Sequence, residues 1–133
     1  VSCCPVKVCI RLVIPIKIRL GMGCICKEIS MVKDDLGPDL EFNVVDCNDN
    51  PVNLTGKIPK FFLKRYCLTD AVNALHPDCI ISAAANGKAI YKFQPGDLAE
   101  IGTYFGDFQV SNVSGYLETA PEAVRIIVRD TNG

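Results

Sequence analysis

At 133 residues the chain is long enough for one domain with a real hydrophobic core and too short for a second full one. Nearly half of it is apolar, 49%, and no low-complexity tract interrupts it, which argues against a disordered chain. The net charge of −1 conceals a division: residues 1–33 hold six Lys and Arg against one acid, whereas residues 34–133 hold eight against fourteen.

A basic N-terminal segment points to nucleic acid, to an anionic membrane, or to an acidic surface on the same kind of chain. This one has no Phe, Tyr or Trp anywhere from Val1 to Lys33, so it lacks the aromatic platforms on which single-stranded nucleic acid stacks. Lys7, Arg11, Lys17 and Arg19 break every apolar run before a signal-peptide or membrane-spanning core can form. Neither nucleic acid nor membrane is therefore expected as the partner, and the acidic body, of the same chain or of another copy, is the expected complement of the basic segment.

The first element is the most regular. Val6, Val8, Ile10, Leu12, Ile14, Ile16, Ile18 and Leu20 alternate with a face that carries Lys7, Arg11, Lys17 and Arg19, the period-2 signature of a strand. Pro15 cannot donate a ladder hydrogen bond, so the run is either one extended arm or two strands bent there. Unpaired, it invites aggregation, and it is expected to pair with another subunit or to form an edge strand of its own domain. Gly21-Met22-Gly23 makes a joint, and the polar stretch to Pro38 reads as a linker.

The body begins with Leu40, Phe42 and Val44 alternating against Glu41 and Asn43, a half-buried strand. Asp46 to Pro51 is a turn, Lys60–Tyr66 the next strand, and Leu68–Asp78 a loop-like stretch. Ile80-Ile81 and Ala89–Phe93 flank Asn86-Gly87, a hairpin signal. Gln94 to Asp97 turns again, Thr103–Val110 and Val124–Val128 are strands, and Ser114-Gly115 turns between them. About seven short body strands joined by turns predict an all-β sandwich over residues 31–133, with residues 1–30 as an extended β arm and linker.

Eight cysteines are many for a chain of this size. Cys3, Cys4, Cys9, Cys24 and Cys26 lie in the N-terminal segment, and Cys47, Cys67 and Cys79 are in the body. Cys67 and Cys79 flank the Leu68–Asp78 stretch and form the possible disulfide; free thiols packed as small hydrophobes are the other reading. Cys47, Cys67, His76 and Cys79 lack the paired short spacings of zinc modules, and no metal or other cofactor is expected. Asp46, Asn48 and Asn50 imitate the start of a calcium loop, but Pro51 stands where glycine is needed and Lys57 where the bidentate Glu belongs, so an ordinary Asx turn is expected. Asn53 and Asn112 begin formal glycosylation sequons and read as turn residues.

The only histidine, His76, lies beside Pro77 with no nucleophile motif, so no enzyme is expected. Tyr91, Phe93, Tyr104, Phe105 and Phe108 would offer a sugar-stacking platform if several faced solvent, and a carbohydrate-binding module is the alternative from a different functional class.

Several segments together resemble the N-terminal domain family of phage baseplate upper proteins: Asp34-Asp35-Leu36-Gly37-Pro38-Asp39-Leu40-Glu41-Phe42, then Asn50-Pro51-Val52-Asn53-Leu54-Thr55-Gly56, then Asn86-Gly87-Lys88-Ala89-Ile90-Tyr91-Lys92-Phe93, with Gly96-Asp97, Gly102–Phe108 and Glu118-Thr119-Ala120-Pro121 following. The resemblance covers roughly residues 31–130. It implies an immunoglobulin-like β-sandwich that helps to build a virion tail or baseplate, with no catalytic residues to carry over. The cysteines and the stretch before Met31 depart from the family, so a subunit of another surface filament built by strand exchange fits the same residues. The expectation is a self-assembling structural subunit, located in a virion or extracellular assembly. Its partners would be its own copies or other virion proteins, joined by the N-terminal arm.

Overall fold

A computed structural model describes residues 13–19, 27–46 and 48–130. Among them lie eight strands and no α-helix: β1 Val13–Arg19, β2 Glu28–Val32, β3 Asp39–Val45, β4 Lys57–Arg65, β5 Ile80–Ala83, β6 Lys88–Tyr91, β7 Gly102–Asn112 and β8 Leu117–Arg129. They form two four-stranded sheets, ordered β1-β3-β6-β5 and β2-β8-β7-β4. The all-β sandwich expected from the sequence is the fold.

Each sheet is built around an antiparallel group, β3-β6-β5 in one and β4-β7-β8 in the other. With β1 beside β3, the chain order reproduces the ABED and CFG sheets of an immunoglobulin-like sandwich. The two N-terminal strands depart from the antiparallel pattern. Val13–Arg19 runs parallel to Asp39–Val45, and Glu28–Val32 runs parallel to Arg125–Arg129. Chain connectivity allows this because β1 reaches β3 only by way of β2 in the opposite sheet, a long crossover of the kind parallel pairs require.

Period-2 alternation places the core. Leu40, Phe42 and Val44 of β3, Phe61 and Leu63 of β4, Ala89 and Tyr91 of β6, and Tyr104, Phe108 and Val110 of β7 all point between the sheets. At the centre the Phe42 ring lies 4.6 Å from that of Phe108 and 5.1 Å from that of Phe61, whose ring is in turn 5.1 Å from Tyr91. Gly106 takes a core-facing position on β7 because there is no room for more: a Cβ there would meet the Phe61 ring and come within 2.8 Å of Val124 Cγ1.

Two expectations shift in detail. The polar stretch read as a linker contains β2, in which buried Ile29 and Met31 alternate with exposed Glu28 and Ser30. β2 was too short for its alternation to stand out. The final strand starts at Leu117 rather than near Val124, because Pro121 interrupts its pattern. A register shift between Gly106 and Phe108 places three β8 residues opposite one β7 residue there. The Asn86-Gly87 hairpin joins β5 to β6 through a single 3-10 turn, Ala84–Asn86, closed by Gly87 at φ 67°.

The Cys67–Cys79 disulfide is not formed; both thiols are free. After β4 the chain doubles back along the outer edge of that strand, with Val72 N–H donating to Leu63 C=O at 2.7 Å, Phe61 N–H to Pro77 C=O at 2.8 Å and Cys79 N–H to Pro59 C=O at 3.0 Å. Cys79 is thus level with the start of β4 while Cys67 lies just past its end. At about 3.3 Å per residue the two are separated by on the order of 25 Å, far beyond the ~7 Å Cα separation a disulfide tolerates.

Candidate assembly surface

The N-terminal run falls into two parts. Ile14, Ile16 and Ile18 of β1 are buried against β3, and Lys17 points outward, 3.4 Å from Asp49. Arg19 is the β1 residue paired in register with Val45. Lys27 extends its ammonium to the Pro15 carbonyl, tying the start of β2 to β1. Val6, Val8, Ile10, Leu12 and Leu20, with Lys7 and Arg11, lie outside the described residues. The part that is described forms an edge strand of its own sandwich. Likewise the division expected at residue 31 is not a break in either sheet, since β1 and β2 are integral strands.

Sheet edges differ in how they are finished. The outer edge of β4 is covered by residues 71–79, and β5 is a short strand of only Ile80–Ala83. At the other flank β1 ends one sheet and β2 ends the other, and among the described residues no strand pairs with the outer edge of either. An unpaired sheet edge is a surface to which another strand can be added by main-chain hydrogen bonds.

The covering of β4 depends on a buried polar group that sequence reading did not find. Asn73, fully buried, accepts from Leu63 N–H at 2.9 Å and donates to Phe61 C=O at 2.7 Å and to the Tyr91 hydroxyl at 3.0 Å. Tyr91 donates to Asp97 Oδ2, Gln94 N–H donates to the same oxygen at 3.0 Å, and His76 Nε2 lies 2.7 Å from Asp97 Oδ1. Burial, reinforced by the hydrogen bond to Asp97, pushes the Tyr91 phenol well above its ordinary value, so it remains a donor. Asp97 is buried, yet its carboxylate is met from three directions. His76 and Asp97 are distant in the chain and come together because the 71–79 return and the Gln94–Asp97 turn pack side by side. The network holds no activated nucleophile, and its chemistry is to fasten the return segment to the sandwich.

The other candidate motifs resolve as turns or core. Asp46 Oδ1 accepts from Asn48 N–H at 2.8 Å and Asn50 N–H at 3.0 Å, an Asx turn in the place of the calcium-like loop. Asn53 accepts from Thr55 N–H, and Asn112 from the N–H groups of Ser114 and Tyr116, so both sequon carboxamides serve as turn acceptors. Among the described residues no three His, Cys, Asp or Glu side chains group as metal ligands. Cys47 lies outside them.

Tyr91, Phe93, Tyr104 and Phe108 are core residues, and Phe105 lies half-buried beneath the Arg125 guanidinium, 5.3 Å from its ring centre. The five aromatics therefore do not make the flat exposed platform that sugar stacking needs. The exposed aromatics are Tyr66, past the end of β4, and Tyr116, in the β7–β8 turn at the opposite end of the same sheet. Ile58 and Leu117 share an outward-facing rung across Ser111, next to Val113 and Tyr116, and give that end an apolar surface.

Fold and surfaces together define the class: an immunoglobulin-like β-sandwich whose N-terminal strand β1 is parallel to its neighbour and which carries one extra strand, β2, parallel to β8. No protein-family model matches the chain, and no curated protein matches it. Among solved structures, one described as the N-terminal domain of phage TP901-1 ORF48 is similar, with a TM-score of 0.65 and 17% identity, over 88% of this chain and 98% of that one. The likeness is one of fold, and it is to a phage domain, as the sequence resemblance anticipated. A share of 88% is more than residues 31–133 alone could supply, so the similarity takes in part of the segment before Met31 as well.

Proposed function

We propose that this chain is a structural subunit of a phage tail or baseplate, working by contact rather than catalysis, and that its N-terminal run joins it to neighbouring subunits by strand addition. The observation that carries the reading is the likeness of nearly the whole chain to a phage domain. The outer edges of β1 and β2 support it, since strand addition needs a sheet edge that no strand of the chain already occupies, and none does among the described residues. The charge division supports it too: a basic, alternating run meets an acidic body, which orients the approach of one chain to another. The partners are other copies of the chain or other virion structural proteins, and the site of action is the virion tail. A surface filament built by strand exchange would use the same parts.

The test is the size distribution of the full chain over a wide concentration range, by light scattering after gel filtration, with and without reductant. Discrete species larger than a monomer, growing with concentration, are expected. A chain that stays monomeric throughout overturns strand addition between copies.

A further inference from the structure

We infer that the acceptor for the N-terminal run is the β3 edge of a second copy of this chain, into which β1 is donated in the register it occupies within one chain. The inference rests on the strand-addition reading and names its partner and its groove.

Four observations converge on β1. Its only strand partner among the described residues is β3, paired from Val13↔Asp39 to Arg19↔Val45, with the Lys27 ammonium on the Pro15 carbonyl as a side-chain tie. Its three inward side chains, Ile14, Ile16 and Ile18, are almost wholly removed from solvent, so the groove beside Leu40, Phe42 and Val44 is an incomplete core without them. It is parallel in an otherwise antiparallel sheet, held by no tight turn. Finally, the connection from β1 to β2 is residues 20–27, a length of chain with Gly21 and Gly23 in it that can span at most about 28 Å at ~3.5 Å per residue.

A strand with these properties makes the same contacts whether the groove belongs to its own chain or to another. Every ladder hydrogen bond and every buried isoleucine is conserved in the exchange, and concentration and the connecting segment decide between the two arrangements. The outward face fits as well: Lys17 of β1 faces Asp49 of the turn after β3, so a donated strand brings its own cation to the acceptor's carboxylate. Reciprocal donation closes a dimer, and donation from each copy to the next makes a filament. The closed dimer fills every groove, and the filament fills all but the one at its end.

Lys17 and Asn43 are register partners, as are Pro15 and Glu41, and both pairs lie off the core face. The full chain carrying Lys17→Cys and Asn43→Cys is made in isotopically labelled and unlabelled forms. The two are mixed equally, unfolded, refolded together, oxidised and digested for mass spectrometry. With β1 donated, about half of the peptides linked between positions 17 and 43 carry one labelled and one unlabelled partner. Oligomers whose linked peptides are all labelled or all unlabelled would overturn the donation and leave assembly through another surface standing. Monomers with such peptides would overturn both. The Pro15→Cys, Glu41→Cys pair repeats the measurement at a second rung should the first variant fail to fold.

Discussion

The Asn73 carboxamide stands in for a peptide group beside Leu63, accepting its N–H at 2.9 Å while donating to the carbonyl of Phe61 two residues earlier. Residues 71–79 leave the regular ladder at this point, and the side chain fills the gap. Asn73→Ala strands a donor and an acceptor in a dry site and is expected to cost about 2–4 kcal/mol. Asn73→Asp keeps the acceptor for Leu63 but loses both donors and adds a buried charge, so it is expected to be at least as damaging. Urea unfolding midpoints at unchanged slope measure both, and a loss below about 0.5 kcal/mol for Asn73→Ala would contradict the role assigned to it.

Ile16 separates an integral strand from a dangling arm. It is fully buried, so Ile16→Ala is expected to destabilise the fold by about 2–5 kcal/mol. Lys17→Ala, which removes an exposed ion pair with Asp49, should change stability by less than about 1 kcal/mol. Equal, negligible effects would show that β1 contributes nothing to the folded core.

Gly106 is fixed by its neighbours rather than by its backbone. A methyl group there collides with the Phe61 ring, itself wedged between Phe42 and Tyr91, and approaches Val124. Gly106→Ala is expected to lower stability by about 1–3 kcal/mol or more, and Gly106→Ala combined with Phe61→Leu should recover part of that loss. Thermal denaturation of the single and double variants gives the coupling.

Alkaline pH should loosen the fold. Tyr91 is raised by burial and by its bond to Asp97, and Tyr104 by burial. A raised folded value means that the folded chain holds the phenolic proton more tightly than the unfolded chain does. The contribution is therefore complete below the ordinary tyrosine value of about 10 and is lost as pH rises above it. Stability measured from pH 8 to 11 should fall above about pH 10, and Tyr91→Phe should flatten the fall. An unchanged slope in that variant would remove Tyr91 as a cause.

Cys67 and Cys79, the two free cysteines among the described residues, should react very differently. Cys67 is exposed, whereas burial and the adjacent Asp78 push the Cys79 thiol up, leaving little thiolate. Peptide mapping after brief maleimide treatment at neutral pH should find Cys67 modified well ahead of Cys79, with the difference abolished in denaturant. Equal labelling of the native protein would contradict the packing around Cys79.

Much of this molecule follows from local pattern. Alternation at Leu40-Phe42-Val44, at Tyr104-Phe108-Val110 and at Val124-Ile126-Val128 dictates strands with one buried face, because successive side chains must point to opposite sides. Gln94-Pro95-Gly96-Asp97 and Asn86-Gly87 turn because proline fixes one backbone angle and glycine allows positive φ, seen at 94° for Gly96 and 67° for Gly87. The same alternation made Ile14, Ile16 and Ile18 one apolar face. What it left open was the owner of the groove they fill, since a strand carries the period of its faces but no mark of its partner.

The relationships that tertiary structure alone decided join residues far apart in the chain. Cys67 and Cys79 looked close because only the Leu68–Asp78 stretch lies between them, and they are distant because that stretch runs back along the full length of β4. His76 and Asp97 looked unrelated and are 2.7 Å apart because two segments pack at one edge. Sequence by itself determined which residues turn, which alternate and which are apolar, all properties of neighbours along a chain. The pairing of β1 with β3, the parallel insertion of β2 and the Asn73–Tyr91–Asp97–His76 network depend on which surfaces meet after collapse, a choice made by the fit of the whole core.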